Sequence, residues 1–359
     1  MPKILFLLPY PKNYAPSQRL KFEQYLDKFE ESGYEYEIVP FIDEKFWDVL
    51  YKKGNFHLKV YYTIISYFKR YLLLFRIRKF DIVYSHLWIT PHGFPIYEYL
   101  AVKLAKKMIF DIDDLIFLGH SSSANRIFQF IKGKNKPIYL MKKADHVITC
   151  TPYLDSFVRK YNLNTTDISS TVNTENYIPI NNYSNDNELV IGWSGSHSTS
   201  KYVRLLESVL KKISVKYKVR IHVLGDENFK IEGVDNLKSM AWSEDIELQE
   251  MQKFDIGIYP LPDEEWVLGK SGLKAIQYMA LGIPTIAAAV GANFRVIENG
   301  VSGVLVENEE EWEKALIAYI ENPELRRAHG LAARKRVEEN YSVKVNGTKY
   351  LDILDKMSK

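Results

Sequence analysis

The sequence predicts an α/β protein of two domains, each a doubly wound parallel sheet. Two observations carry that prediction. The stretch from Asp255 to Ala289, DIGIYPLPDEEWVLGKSGLKAIQYMALGIPTIAAA, reads as a strand, a Pro-punctuated loop, a glycine-bounded helix start, a helix to Leu281, a Gly-Ile-Pro turn and a second strand. Short apolar runs around a helix of about ten residues form a βαβ unit. The second observation is length: 359 residues suffice for two independent cores.

The first half alternates in the same way. Strands are expected at Lys3 to Leu8, Tyr36 to Val39, Asp81 to Ser85, Met108 to Ile112 and His146 to Thr149. Helices are expected at Gln18 to Glu31, Tyr97 to Lys107, near Ala124 to Ile131, at Ile138 to Lys143 and at Pro152 to Tyr161. The opening run MPKILFLLPYPK is too short, and too soon interrupted by proline, for a signal peptide. It leads into PYPKNYAPSQR and not into a Gly-x-Gly-x-x-Gly loop, which argues against a simple dinucleotide fingerprint. In the second half, ELVIGWSGS and Lys218 to Leu224 read as strands, Trp312 onward as helices, and Val343 to Met357 as a last helix.

With 46% hydrophobic and 26% charged residues, the composition is that of a soluble globular protein. No window offers 18 uncharged apolar residues, so no membrane span is expected. The single cysteine, Cys150, cannot close an internal disulfide, no metal-type Cys/His cluster occurs, and a cytoplasmic location is expected. The net charge of +3 conceals a basic first half and an acidic second half. Eight basic residues and no acid lie between Lys52 and Lys79, among Val60, Tyr61, Ile64, Ile65, Phe68, Tyr71, Leu72 and Phe75 at helical spacing. Two readings stay open: a domain helix whose apolar stripe is core, or a basic amphipathic helix lying on an anionic membrane surface. Nucleic acid is not expected as a partner, because no recognition module is apparent.

Two motifs carry chemistry. The helix after Tyr259 opens with Gly269, Lys270, Ser271, Gly272, Leu273 and Lys274. Glycines admit a ligand to the backbone, while lysines add charge to the helix dipole, so the stretch reads as a diphosphate cradle or, alternatively, as a capped surface helix. In FDIDDLIF, Asp111, Asp113 and Asp114 lie at the carboxyl end of an apolar strand. Three such close carboxylates repel and require pairing, hydrogen bonds or a proton; capping of the next segment and a Mg²⁺ site are both open. Arg19, His86, His92 and His120 are further candidates on neighbouring segments, with Arg19, His92 and His120 assigned to the acceptor side.

The run GKSGLKAIQYMALGIP, followed by VGANFRVIENGVSGVLV, resembles glycosyltransferases of family 4, in a subgroup with Gly-Lys, Lys and Gln-Tyr-Met-Ala in place of two glutamates with seven residues between them. Gly269 then stands at the first Glu and Gln277 at the second. The resemblance implies the GT-B fold, two Rossmann-like domains facing across a cleft. It implies a first domain at 1–170 for the acceptor, a linker at 171–186, a nucleotide-sugar domain at 187–341, and a helix at 342–359 crossing back. It further implies that Gly195, Ser196, Lys201, Lys270, Ser271, Gly272, Leu273 and Lys274 hold the donor diphosphate. Asp226, Trp242 and Gln277 would face the nucleotide and its ribose, and Asp113 and Asp114 would take the places of the family's catalytic His-Asp. Ser196 replaces an arginine that the family often carries.

The function that follows is retaining, metal-independent sugar transfer, without a cofactor, from a nucleotide-diphosphate sugar to a glycan or lipid-linked saccharide. The protein would be cytoplasmic or peripheral on the inner face of the membrane. Two rivals remain: a nucleotide-sugar epimerase on the same fold, and a pseudoenzyme that binds donor without turnover.

Overall fold

The computed structural model describes residues 1–50, 52, 54–117, 135–180, 183 and 188–359. His120 and the helix expected near Ala124 to Ile131 lie outside these residues. The chain forms two compact units, residues 1–170 with 346–359, and residues 171–345.

The first unit is built on β1 (Lys3–Leu8), β2 (Glu35–Pro40), β3 (Ile82–His86), β4 (Met108–Asp111), β5 (His146–Thr149) and β6 (Thr165–Asp167), ordered β2-β1-β3-β4-β5-β6. Every pairing is parallel. Parallel sheets need both faces covered, and the strands here read as near-continuous apolar runs. In β1, Ile4 through Leu8 are all fully buried. The register sets His86 beside Asp111 at the carboxyl ends of β3 and β4.

The second unit repeats the plan with β7 (Leu189–Ser194), β8 (Val219–Leu224), β9 (Leu237–Met240), β10 (Ile256–Tyr259), β11 (Thr285–Ala288) and β12 (Val304–Val306), ordered β12-β11-β10-β7-β8-β9. The strand order turns at β7, which has β10 on one side and β8 on the other. At such a point the following connections leave in opposite directions and open a crevice. The helix Leu273–Ala280 is buried from Ala275 through Ala280 and packs between β10 and the helix Pro323–Asn340. Its tyrosine, Tyr278, accepts a hydrogen bond from the Ser194 amide at 2.6 Å, fastening the end of β7 to the helix.

Several expectations are corrected. The helix expected over Gln18 to Glu31 is broken into Pro16–Arg19, a 3₁₀ turn at Glu23–Tyr25, and Leu26–Glu31. At the break Lys21 turns inward, where its ammonium donates to the carbonyls of Thr149 and Ile168. Thr165–Asp167, where no strand was expected, form the edge strand β6. The helix Phe56–Leu74 does not bury its apolar stripe: Ser66, Arg70 and Leu73 face inward, while Ile64 is 63% and Phe68 62% exposed. What anchors the buried face is Arg70, whose guanidinium donates to the carbonyls of Leu8 and Val39 at 2.8 Å each. Burial pulls that guanidinium down to about 10. Among the described residues no helix is long and apolar enough to cross a membrane.

Backbone contact between β7 and β8 fixes the second unit's crevice. Gly225 has φ +127, and a Cβ there would lie 2.0 Å from the Gly195 carbonyl oxygen. Gly233, also at positive φ, has open space around it. In urea unfolding of the full chain, Gly225→Ala is expected to destabilise the second unit by about 2–4 kcal/mol and Gly233→Ala by about 1 kcal/mol. Equal losses would mean that close approach at Gly225 plays no part.

Candidate functional site

In the second unit the loops after β7, β8 and β10 converge at the carboxyl edge of the sheet, and they carry most of the expected donor residues. Gly195 leaves no room for a side chain, since a Cβ would stand 2.3 Å from the Trp193 ring. Ser196 begins a compact hydroxyl turn in which its amide donates to Thr199 Oγ1 at 3.0 Å, with Ser198 Oγ 2.9 Å from its own hydroxyl. Ser196 and Lys201 are both exposed.

The helix Leu273–Ala280 is entered through Gly272 in the left-handed conformation, φ +78. A Cβ at that position would lie 2.9 Å from Val296, so both backbone shape and packing require glycine. Among the described residues no side chain caps this helix, and its first turn holds no acid. The leading amides of a helix have no intrahelical acceptors and sit at the positive end of its dipole, an arrangement suited to an anion.

Two of the expected lysines meet here through aromatic rings. Lys270 Nζ lies 5.6 Å from the Trp266 centroid and Lys201 Nζ 5.1 Å from that of Tyr202. The two rings stack on each other with centroids 5.5 Å apart and planes at 30°. Cation–π contacts of this kind contribute about 0.5–1 kcal/mol at exposed sites, enough to orient a lysine and weak enough to yield to a phosphate.

Lys274 and Gln277 face a different environment. Gln277 is fully buried, and its amide donates to Tyr177 Oη at 2.9 Å while its carbonyl accepts from Lys274 Nζ at 3.1 Å. Lys274 Nζ also lies 3.4 Å from Glu247 Oε1 and 3.4 Å from Ser194 Oγ. These groups form an inner polar layer beneath the crevice. Both polar ends of Gln277 are thereby engaged within the protein. Asp226 follows β8, buried; it accepts from Ser200 Oγ at 2.6 Å and has His197 Nδ1 3.0 Å away. Burial alone would raise its carboxyl, but the Ser200, His197 and Asn228 hydrogen bonds outweigh that and hold it below the usual range. Trp242 is half-buried against the apolar core around Tyr278.

The expected acidic residues of the first unit are brought to the carboxyl end of β4, but with unequal surroundings. Asp111 is fully buried; its Oδ2 accepts from Tyr84 Oη at 2.5 Å and its Oδ1 lies 3.6 Å from Lys21 Nζ. Asp113 keeps 12% of its side chain exposed, and its Oδ1 is 3.8 Å from His86 Nε2. Asp114 accepts the Leu115 amide at 2.8 Å, a local turn bond. Burial raises Asp113. Asp111 is lowered, because the charge of Lys21 and the bonds from His86 and Tyr84 outweigh burial. Arg19, half-buried, ends the short helix Pro16–Arg19. His92 lies apart, lining a cavity of about 460 Å³ with Tyr67, Tyr71, Phe94, Tyr97 and Lys136. Burial and the Lys136 charge lower its imidazole. Among the described residues no group of three or more His, Cys, Asp or Glu is arranged to hold a metal ion.

Sequence reading missed the parts that complete these layers. Lys21 and Glu247 had no motif to mark them, and Tyr278 stood in the Gln-Tyr-Met-Ala run without a role assigned to it. Tyr202 and Trp266 become a pair only through the sheet, although an exposed-side tryptophan beside Gly-Lys was a usable signal. His86, read as a loop residue, is the last residue of β3 and fully buried.

Residues 188–322 match the family model described as "Glycosyl transferases group 1". A trehalose synthase of Pyrococcus horikoshii is 31% identical over 86 residues, which span 24% of this chain and 21% of that enzyme's length. The fold is similar to that of sucrose-phosphate synthase from Thermosynechococcus elongatus, with a TM-score of 0.72 at 14% identity over 99% of both chains. It is also similar to HepE of Anabaena, solved in complex with UDP-glucose, with a TM-score of 0.70 at 16% identity over 99% of both chains. Residues 188–322 thus match the group 1 glycosyltransferases, in a chain of the GT-B fold.

Proposed function

We propose that this chain is a retaining, metal-independent glycosyltransferase that moves a sugar from a nucleotide-diphosphate sugar to a glycan or lipid-linked saccharide in surface polysaccharide or glycoconjugate synthesis. The observation that carries this reading is the meeting of Lys201 and Lys270 on the stacked Tyr202–Trp266 pair, beside the uncapped helix that starts at Gly272. In transfer, the bond from the anomeric carbon to the diphosphate breaks and a bond to the acceptor oxygen forms on the same face. The acceptor proton passes to the leaving phosphate. Negative charge develops on that phosphate, and preorganised cations and helix amides stabilise it where it appears. The UDP-glucose bound by HepE supports a uridine donor.

The acceptor side rests on the helix Phe56–Leu74. Its outward face carries Phe56, Ile64 and Phe68, followed by Phe75 at 85% exposure, with Lys59, Lys69, Arg76, Arg78 and Lys79 around them. Lys69 and Arg76 share charge with Asp43 and Glu37, 2.9 and 2.8 Å away, but both pairs are exposed and weak. An apolar aromatic stripe with basic flanks suits the inner, anionic face of a cell membrane, where a lipid-linked acceptor would be presented. A second reading, donor binding without turnover, is favoured by Gly269, which offers no carboxylate to the sugar, and by the engagement of Gln277 with Tyr177. Release of free nucleotide in the presence of acceptor separates the two.

Two measurements test this proposal. In a thermal-shift screen against UDP, GDP, CMP and ADP, one nucleotide is expected to stabilise the protein by about 2.7 kcal/mol at a hundredfold excess over Kd. Lys270→Ala is expected to abolish most of that shift; absence of a shift with all four contradicts the donor site. In flotation with anionic vesicles, the wild type is expected to rise with the lipid and the Ile64→Asp, Phe68→Asp double variant to stay behind. A wild type that stays behind removes the membrane.

A further inference from the structure

The buried group around His86 has a charge balance that the proposed function does not by itself require. His86 Nδ1 lies 3.5 Å from Asp111 Oδ2 and Nε2 lies 3.8 Å from Asp113 Oδ1, with the ring wholly buried between the two carboxylates. Among the described residues neither ring nitrogen has a closer hydrogen-bonding partner. Asp111 is already matched by Lys21 and by the Tyr84 hydroxyl. That leaves Asp113 and His86 to balance each other.

A neutral imidazole would leave the Asp113 carboxylate as an uncompensated charge at the rim of a buried cluster, which is costly. An imidazolium satisfies both carboxylates at once. The other groups facing it do not take over that part. Burial keeps Tyr84 of β3, Tyr350 of the last helix and the Cys150 thiol after β5 well above their usual values and therefore neutral. Lys21 opposes protonation of the ring, whereas Glu23 favours it; the carboxylate of Glu23 accepts from the Asn13 amide and the Gln18 side chain. Burial itself works against a charged ring, yet Asp113 and Asp111 outweigh it and raise His86.

The backbone also fixes the ring. Leu87, the next residue, is held at φ +56 in the left-handed region, and its amide donates to the Asp111 carbonyl at 2.8 Å. A bulky residue keeps that conformation only where its surroundings impose it. Cys150 Sγ lies 3.1 Å from the Asp113 carbonyl and secures the other side of the pair.

We infer that His86 is a positioning residue: a buried imidazolium that holds the Asp113 carboxylate ionised and aimed outward from the end of β4, where it accepts a hydrogen bond from a sugar hydroxyl. This rests on the proposed transfer function, but the pair itself is testable without it. His86 would carry a group whose folded-state pKa lies above its unfolded value, so its contribution to stability is complete below about pH 6.5 and lost as pH rises through the folded value.

The test is a pH titration of the full chain labelled with ¹⁵N in histidine, read by two-bond proton–nitrogen correlation, with His86→Gln supplying the assignment. His86 is expected to be protonated at pH 7. In Asp113→Asn its midpoint should fall by about one pH unit or more, as removal of a carboxylate within contact range requires. If His86→Gln does not fold, His86→Asn supplies the assignment in its place. An imidazole already neutral at pH 7, or one indifferent to Asp113→Asn, overturns the inference. Failure of every nucleotide to bind would count against the transfer reading and leave the ring titration to decide the pair on its own.

Discussion

A parallel sheet ends all its strands at one edge, and that constraint governs the chemistry in both units. Loops far apart in sequence are delivered to the same place because β7 has β8 on one side and β10 on the other. The Ser196 turn, Asp226 and the Trp266–Lys274 segment belong to three different crossovers. They meet because Gly195 and Gly225 allow β7 and β8 to close without side chains between them, and because Tyr278 ties the Ser194 amide to the helix behind. Remove the close approach, and the crevice loses its shape before any ligand residue is touched.

The two units use charge in opposite ways. The second unit sets Lys201 and Lys270 against aromatic rings, the arrangement that the proposed donor site uses. Beneath them Lys274, Gln277 and Glu247 form a saturated layer whose exchange with ligand would require several bonds to break. The first unit buries its charge. Lys21, Asp111, His86 and Asp113 alternate in sign from the interior outward, and Asp113 retains the exposed edge. Cations set against aromatic rings suit a ligand that enters and leaves; a fixed carboxylate suits orientation of one group.

Much of this was legible in the residues. The central strands show as apolar runs because parallel strands are covered on both faces, and the helix start at Gly272 shows because only glycine takes its φ so readily. The edge strands β6, β9 and β12 were not legible: they are three or four residues long and largely half-buried, so neither periodicity nor hydrophobicity marks them. The break at Lys21 was hidden because its cause, the carbonyls of Thr149 and Ile168, comes from across the sheet. Periodicity located the helix Phe56–Leu74 but said nothing about which face turns inward. That was decided by Arg70, whose guanidinium reaches two strand-end carbonyls and turns the aromatic stripe outward. Gln277 aligned with a ligand position in sequence, while the bonds that occupy it come from Tyr177 and Lys274.

The central claim is that the diphosphate of a nucleotide sugar is held by the loop and helix start around Gly272, with lysines released from their aromatic supports. A crystal structure of the protein with UDP tests it most directly. The account predicts the diphosphate within hydrogen-bonding distance of the Leu273 amide, with Lys270 Nζ moved off the Trp266 ring to a phosphate oxygen. UDP bound elsewhere, or a diphosphate in place with Lys270 still resting on Trp266, would contradict it.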